Sequence, residues 1–225
     1  MSNDGSVKGR VMEPAPEAKP AGPCAMVIFG AGGDLTKRLV VPALYNLAAS
    51  KLLPKDFALI GVDVADLTTD QWRENLGKMM QSFLAGGGEF TPESIDPSAW
   101  DWLIGNMSYL RGDFADDATF KKLGDLLQKA EGDRHTGGNV LFYLAVADRF
   151  FGPVVGQIAA AGLADEQDGK RWRRVIVEKP FGHSLESAKA LNQRLLKVLR
   201  EDQIYRIDHF LGKETVQSID RKSVV

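Results

Sequence analysis

Residues 206–214 read RIDHFLGKE and set Asp208, His209 and Lys213 within six positions of one another. A carboxylate, an imidazole and an ammonium that close together can converge on one small polar ligand. His209 and Lys213 suit a phosphorylated substrate, because cationic donors form charge-assisted bonds to phosphate oxygens. A solvated loop carries the same mixture of charges, so this segment alone does not decide between a site and a surface. It follows an apolar approach through Ile204, Tyr205 and Ile207 and reads as a turn.

A second stretch with chemistry lies near the other end, where Gly30-Ala31-Gly32-Gly33-Asp34-Leu35 follows the apolar run CAMVIFG. Glycines let the backbone turn tightly and approach a pyrophosphate, and the start of a helix supplies free N–H groups and a positive dipole end. The spacing departs from GxGxxG, since position 35 is Leu. No Gly-Lys-Ser or Gly-Lys-Thr follows, which excludes a P-loop. A glycine turn without a ligand is the plainer alternative, but its place between a buried strand and a helix favours the cradle. Asp63 ends the next apolar run, FALIGVD. A dinucleotide-binding sheet keeps there the carboxylate that accepts from the 2′ and 3′ hydroxyls of an adenosine ribose. The same charge would repel a 2′-phosphate. An ordinary strand-end aspartate is the alternative, and Arg73 or Lys37 could supply positive charge near such a phosphate, so NAD and NADP both stay open.

The elements that must position these residues alternate strand with helix. Residues 24–30 and 57–63 read as strands buried on both faces. Residues 35–53 have helical spacing, with Pro42 expected to kink the helix or delay its regular part. Thr68 and Gln71 form a capping box for a helix to about residue 84, stopped by Gly86-Gly87-Gly88. Residues 89–106, rich in Pro and Ser, read as irregular, with Trp100 and Trp102 anchoring them to the core. Strands follow at 107–110, 139–146 and 173–179, and helices at 117–130, 153–161 and 184–200. This order predicts an α/β fold, a doubly wound parallel sheet of Rossmann type. Residues 24–205 form the expected dinucleotide-binding domain, 1–23 a disordered leader, and 206–225 the beginning of an incomplete α+β substrate domain.

Composition sets the outer limits. The chain has 225 residues, 44% hydrophobic and 26% charged, with a net charge of -2, an ordinary balance for a soluble globular protein. That charge gives no field to draw nucleic acid or an anionic membrane. No apolar run is long enough to span a bilayer, and the leader has no apolar core of a secretory signal, so the cytoplasm is the expected compartment. Cys24 is the single cysteine, which excludes an internal disulfide and a multi-cysteine metal site; no metal is expected.

GAGGDLTKR, then VEKPFG (177–182), then RIDHFLGKE, in this order, resemble glucose-6-phosphate dehydrogenases. FYLA (142–145) and EDQIYRIDHFLGKETVQ (201–217) agree with them. The resemblance implies oxidation of D-glucose 6-phosphate to 6-phosphogluconolactone, with NADP or NAD taking the hydride. It implies that Gly30, Ala31, Gly32, Gly33, Asp34, Leu35 and Lys37 wrap the cofactor pyrophosphate, with Asp63 and Tyr143 also on the cofactor. Lys179 lies between cofactor and sugar, placed by Pro180. His209, Phe210 and Lys213 face the sugar phosphate and its neighbouring oxygens, and Asp208 orients a histidine acting as general base on the C1 hydroxyl. An imidazole paired with a carboxylate is a base poised near neutral pH.

Departures accompany these matches. Phe210 stands where the family has a tyrosine, Val146-Ala147-Asp148 where it has paired prolines, and Val64 and Asp66 where it has arginines after the second strand. The last of these weakens selectivity for NADP. The base histidine of the family lies beyond this chain. Of the three histidines, His135 reads as surface and His183 as structural, which leaves His209 in the motif. The expectation is a coenzyme domain that binds nucleotide weakly and turns over little by itself, with residues 218–225 outside the family pattern and the full-length protein a homo-oligomer. A non-catalytic dinucleotide-binding module, and a different sugar dehydrogenase sharing the EKP lysine, are the rival readings.

Overall fold

A computed structural model describes residues 19–84, 94–167 and 169–207. Asp208, His209, Phe210 and Lys213 lie outside the described residues, as do the Gly86-Gly87-Gly88 stop, residues 1–18 of the expected leader and the start of the expected second domain.

Six strands run parallel: β1 (Cys24–Phe29), β2 (Phe57–Asp63), β3 (Met107–Arg111), β4 (Val140–Leu144), β5 (Arg173–Glu178) and β6 (Ile204–Ile207). Their order across the sheet is β3-β2-β1-β4-β5-β6, and every neighbouring pair is parallel. This is the doubly wound arrangement, with the reversal of winding between β1 and β4. The helices are α1 (Val41–Ala49), α2 (Thr69–Leu84), α3 (Pro97–Gly105), α4 (Asp117–Arg134), α5 (Phe151–Ala160) and α6 (Leu185–Leu196).

Alternate residues of β1 build two cores. Ala25, Val27 and Phe29 join Phe120 and Leu123 of α4, Val154 and Ile158 of α5, and Leu195 of α6. Cys24, Met26 and Ile28 join Leu44 of α1, Trp72 and Leu76 of α2, and Leu103 of α3 on the opposite face. Every β1 residue is buried, which is why the strand reads as an unbroken apolar run. Phe29 stacks on Phe120 at 5.9 Å and meets Phe114 edge-on at 5.7 Å, anchoring the strand that feeds the glycine turn.

Several local expectations hold in detail. Thr68 Oγ1 accepts from Gln71 N at 3.2 Å, and Gln71 Oε1 accepts from Thr68 N at 2.9 Å, the reciprocal capping box. Ser184 and Ser187 form another at the start of α6. Pro42 delays the regular helix as expected: residues Thr36–Val40 form a π turn first, with Val41 N–H donating to Thr36 O. Proline offers no N–H at the next position, so the ladder changes register there.

Others need correction. Residues read as irregular contain α3, because Asp96 caps it by accepting from Ser98 N at 2.9 Å and Pro97 occupies its first turn. The Pro and Ser content that suggested a loop is instead the signature of a helix start. The two tryptophans do anchor it: Trp100 meets Tyr45 edge-on and Trp102 stacks on Phe57. α4 runs four residues further than expected, to a left-handed His135 at its C-cap. α6 ends at Leu196, short of the expected residue 200. The approach through Ile204 and Ile207 is a strand, paired with β5, so a domain boundary after residue 205 would cut through β6. The leader is not free up to residue 23 either, since Ala21 N donates to Leu52 O at 3.2 Å and Pro23 O accepts from Asn139 Nδ2 at 2.9 Å.

Candidate functional site

Parallel strands place all their carboxyl ends on one edge. Phe29 of β1 lies beside Leu144 of β4, and Leu144 beside Val177 of β5. The next residues, Gly30, Ala145 and Glu178, therefore follow one another along that edge, and Lys179 emerges from it. Two strand spacings, roughly 10 Å, separate β1 from β5. The glycine turn and Lys179 thus share an edge, as the motif order requires.

The turn is held by specific bonds. Gly30 (φ 87°) donates to Val62 O at 2.9 Å, and Gly33 N donates back to Gly30 O at 3.0 Å. Thr36 Oγ1 donates to Gly30 O at 2.8 Å, and Trp72 Nε1 donates to Ala31 O at 3.0 Å, both buried. Glycine is required at position 30 twice over. Its φ is one that L side chains rarely adopt, and a Cβ there would lie 2.3 Å from Ala145 O. The first helical bond of the following segment runs from Lys37 N to Gly33 O at 3.2 Å. The amides of Asp34, Leu35 and Thr36 precede it and have no helical acceptor, which leaves them as donors to an anion. Gly32 and Gly33 are half-buried and carry no side chain to obstruct that approach.

Asp63 closes the loop from the side. Its Oδ2 accepts Gly32 N–H at 2.7 Å and its Oδ1 accepts Val64 N–H at 2.7 Å. Each carboxylate oxygen keeps acceptor capacity for another donor. The carboxylate is therefore both a brace for the cradle and an anchored acceptor beside it.

Arg73 does not supply charge there. Its Nη2 donates to Met107 O at 2.5 Å, at the amino end of β3, while Asp63 sits beside Arg111 at the other end. Arg111 is the cation near Asp63 that the sequence reading missed; it pairs with Asp66 at 2.9 Å. Only the parallel register of β2 and β3 reveals that neighbourhood. Thr36 and Trp72 were missed as loop braces for the same reason: hydroxyl and indole partners depend on tertiary placement.

Tyr143 is buried, and its hydroxyl donates to Glu178 Oε1. It thus fixes the residue that precedes Lys179. Lys179 is exposed, and its peptide bond to Pro180 is cis. His183 Nε2 meets Asp148 Oδ2 at 3.1 Å, linking the segment after Pro180 to the one after β4. Lys37 is half-buried in the turn, and Asp34 is exposed. Among the described residues no group of three or more His, Cys, Asp or Glu side chains could hold a metal ion, and no helix is long and apolar enough to cross a membrane.

Comparisons with known proteins agree with this fold. Residues 27–218 match the family model described as glucose-6-phosphate dehydrogenase, NAD binding domain. The chain is 43% identical over 199 residues to glucose-6-phosphate 1-dehydrogenase 2 of Mycobacterium tuberculosis, covering 88% of this chain and 37% of that protein. It is 37% identical over 199 residues to glucose-6-phosphate 1-dehydrogenase of Chlamydia pneumoniae, covering 88% of this chain and 38% of that one. Among solved structures, glucose-6-phosphate 1-dehydrogenase from Mycobacterium avium superposes with a TM-score of 0.71 at 38% identity, over 88% of this chain and 38% of that chain. A glucose-6-phosphate dehydrogenase in complex with its substrate glucose-6-phosphate gives 0.77 at 30% identity, over 90% of this chain and 40% of that chain. The chain thus spans well under half the length of these relatives. With a family model covering most of its length, the chain belongs to the glucose-6-phosphate dehydrogenase family.

Proposed function

We propose that this chain is the nucleotide-binding part of an oxidoreductase that oxidises D-glucose 6-phosphate to 6-phosphogluconolactone, with NADP or NAD accepting the hydride. The observation that carries the reading is the glycine turn at the carboxyl end of β1, braced by Thr36, Trp72 and Asp63 and sharing its edge with Lys179. Gly30 to Lys37 hold the pyrophosphate through backbone amides and the helix start. When bound, the nicotinamide supplies the hydride-accepting centre, and the protein supplies aim and charge.

Lys179 reaches toward the sugar from the end of β5, while Tyr143 and Glu178 fix the backbone behind it. Asp208 orients a base histidine, and His209, Phe210 and Lys213 take the sugar phosphate. Phe210 offers no hydroxyl, so His209 and Lys213 carry the phosphate contacts. Asp63 accepts from the ribose hydroxyls and opposes a 2′-phosphate, which makes NAD a working cofactor beside NADP. The complete protein acts as a homo-oligomer in the cytoplasm, without nucleic acid or membrane partners.

The test is a steady-state assay of the chain extended to the length of its relatives, with glucose 6-phosphate and either nucleotide, following formation of the reduced cofactor. Turnover that falls at least a hundredfold in Lys179→Ala supports the reading. Nucleotide binding without turnover on any phosphorylated sugar would reduce it to a non-catalytic module.

A further inference from the structure

The opposite edge of the sheet carries a cavity that the nucleotide site does not use. It holds about 270 Å³ between the start of β4, the start of β5 and one side of α4. Arg173, the first residue of β5, lines it and is only 5% exposed. Its Nε and Nη1 are buried without a hydrogen-bond partner. Among the described residues its guanidinium makes no ion pair.

That is a costly arrangement for a group that is all donor. Burial, with the like charge of Arg171 nearby, pushes Arg173 down to about 10. The nearby carboxylates of Asp165, Glu166 and Glu131 oppose that shift without bonding to the guanidinium. Glu166 accepts Arg173 N–H through Oε1 and pairs with Arg200 through Oε2. Glu131, the one carboxylate on the cavity wall, accepts through Oε2 alone, from Thr136 Oγ1 at 2.7 Å and Gly138 N at 2.5 Å, and does not bond to the guanidinium. Two arginines, Arg171 and Arg173, therefore line a compact space against a single carboxylate engaged through one oxygen, with Leu163 supplying apolar wall.

We propose that this cavity is a binding site for a small oxyanion, a phosphate or carboxylate group, received by the buried guanidinium of Arg173. An oxyanion in the cavity supplies an acceptor where the Arg173 side chain lines it, and a turn of the guanidinium brings its covered Nε and Nη1 donors to that anion; guanidinium geometry matches both groups. The volume admits the anion on a short body and nothing near the size of a dinucleotide. Strand β5 separates the site from Lys179 by roughly 17–20 Å along the sheet. It is independent of the function proposed above.

The experiment titrates the isotopically labelled 225-residue chain with inorganic phosphate and, separately, acetate, at constant ionic strength made up with chloride. Nuclear magnetic resonance follows the Arg173 Nε–H and the amides of Arg171 and Gly138. The expected result is saturable shifts at these positions, lost in Arg173→Gln. Gly124→Leu fills the cavity from α4 without altering charge, since a Cβ there meets Leu163 Cδ2 at an ordinary 3.5 Å. It should weaken binding at least tenfold and serves should Arg173→Gln fail to fold. Saturation by phosphate alone assigns a phosphoryl group, by acetate alone a carboxylate, and by both a general oxyanion site. Shifts linear in anion concentration, or saturation that survives both substitutions, would overturn the proposal and leave a buried structural arginine. Phosphate bound at the glycine turn would move Gly32 to Lys37 instead, so the two sites are told apart.

Discussion

Gly32 donates its N–H to Asp63 Oδ2 at 2.7 Å, joining the tip of the glycine turn to the end of the neighbouring strand. One carboxylate thereby shapes the cradle and sets its charge. Substitutions at Asp63 separate the two roles.

Asp63→Asn keeps an acceptor for Gly32 N–H and turns its amide nitrogen toward Val64 N–H, whose bond is exposed and cheap to lose. Removing the negative charge should shift relative affinity toward NADP over NAD by on the order of tenfold, about 1.4 kcal/mol. Asp63→Ala also removes the brace and should weaken both nucleotides. Calorimetric titration of the chain with each nucleotide measures this. An unchanged NADP-to-NAD ratio in Asp63→Asn would show that the charge does not face the ribose.

Thr36 Oγ1 donates to Gly30 O from a fully buried position. Thr36→Val keeps the shape and removes the donor, while Gly30 O retains Gly33 N–H at 3.0 Å. The loss should be about 1 kcal/mol, seen as a lower urea midpoint at constant slope.

Phe29 is fully buried between the rings of Phe114 and Phe120 at the end of β1. Phe29→Ala should cost about 3–5 kcal/mol through lost burial and the cavity left behind. Urea unfolding measures it, and a loss below about 1 kcal/mol would place β1 outside the core.

Burial pushes the Cys24 thiol from 9.0 up to about 11. The folded chain then keeps a proton that the unfolded chain releases across that window. Stability from this group is complete below pH 9 and is lost as pH rises toward 11, on the order of 3 kcal/mol in all. Urea midpoints from pH 8 to 11 should fall less in Cys24→Ala than in the wild type. The native thiol should also resist alkylation at neutral pH and react once unfolded.

The sheet was legible because its strands are buried on both faces: CAMVIFG and FALIGVD are apolar without alternation and end at Gly30 and Asp63. The capping box at Thr68 was legible because its partner lies within three residues. α3 was hidden because Asp96 and Pro97 are equally good loop and helix-start residues, and only the packing of Trp102 on Phe57 decides between them. Within the site, the glycine turn and Lys179 were found by spacing, while Thr36, Trp72 and Arg111 depend on partners up to 48 positions away, which a linear pattern does not show. Arg73 was misplaced because its position on α2 gives no clue to which end of β3 its long side chain follows.

Calorimetric titration of the chain with NADP and NAD asks whether the turn from Gly30 to Lys37 cradles a dinucleotide. Saturable one-to-one binding of at least one nucleotide is expected, abolished in Gly30→Val, whose Cβ would collide with Ala145 O, with the far-ultraviolet dichroism retained. Absence of binding by the folded wild-type chain, or equal binding by folded Gly30→Val, would contradict it.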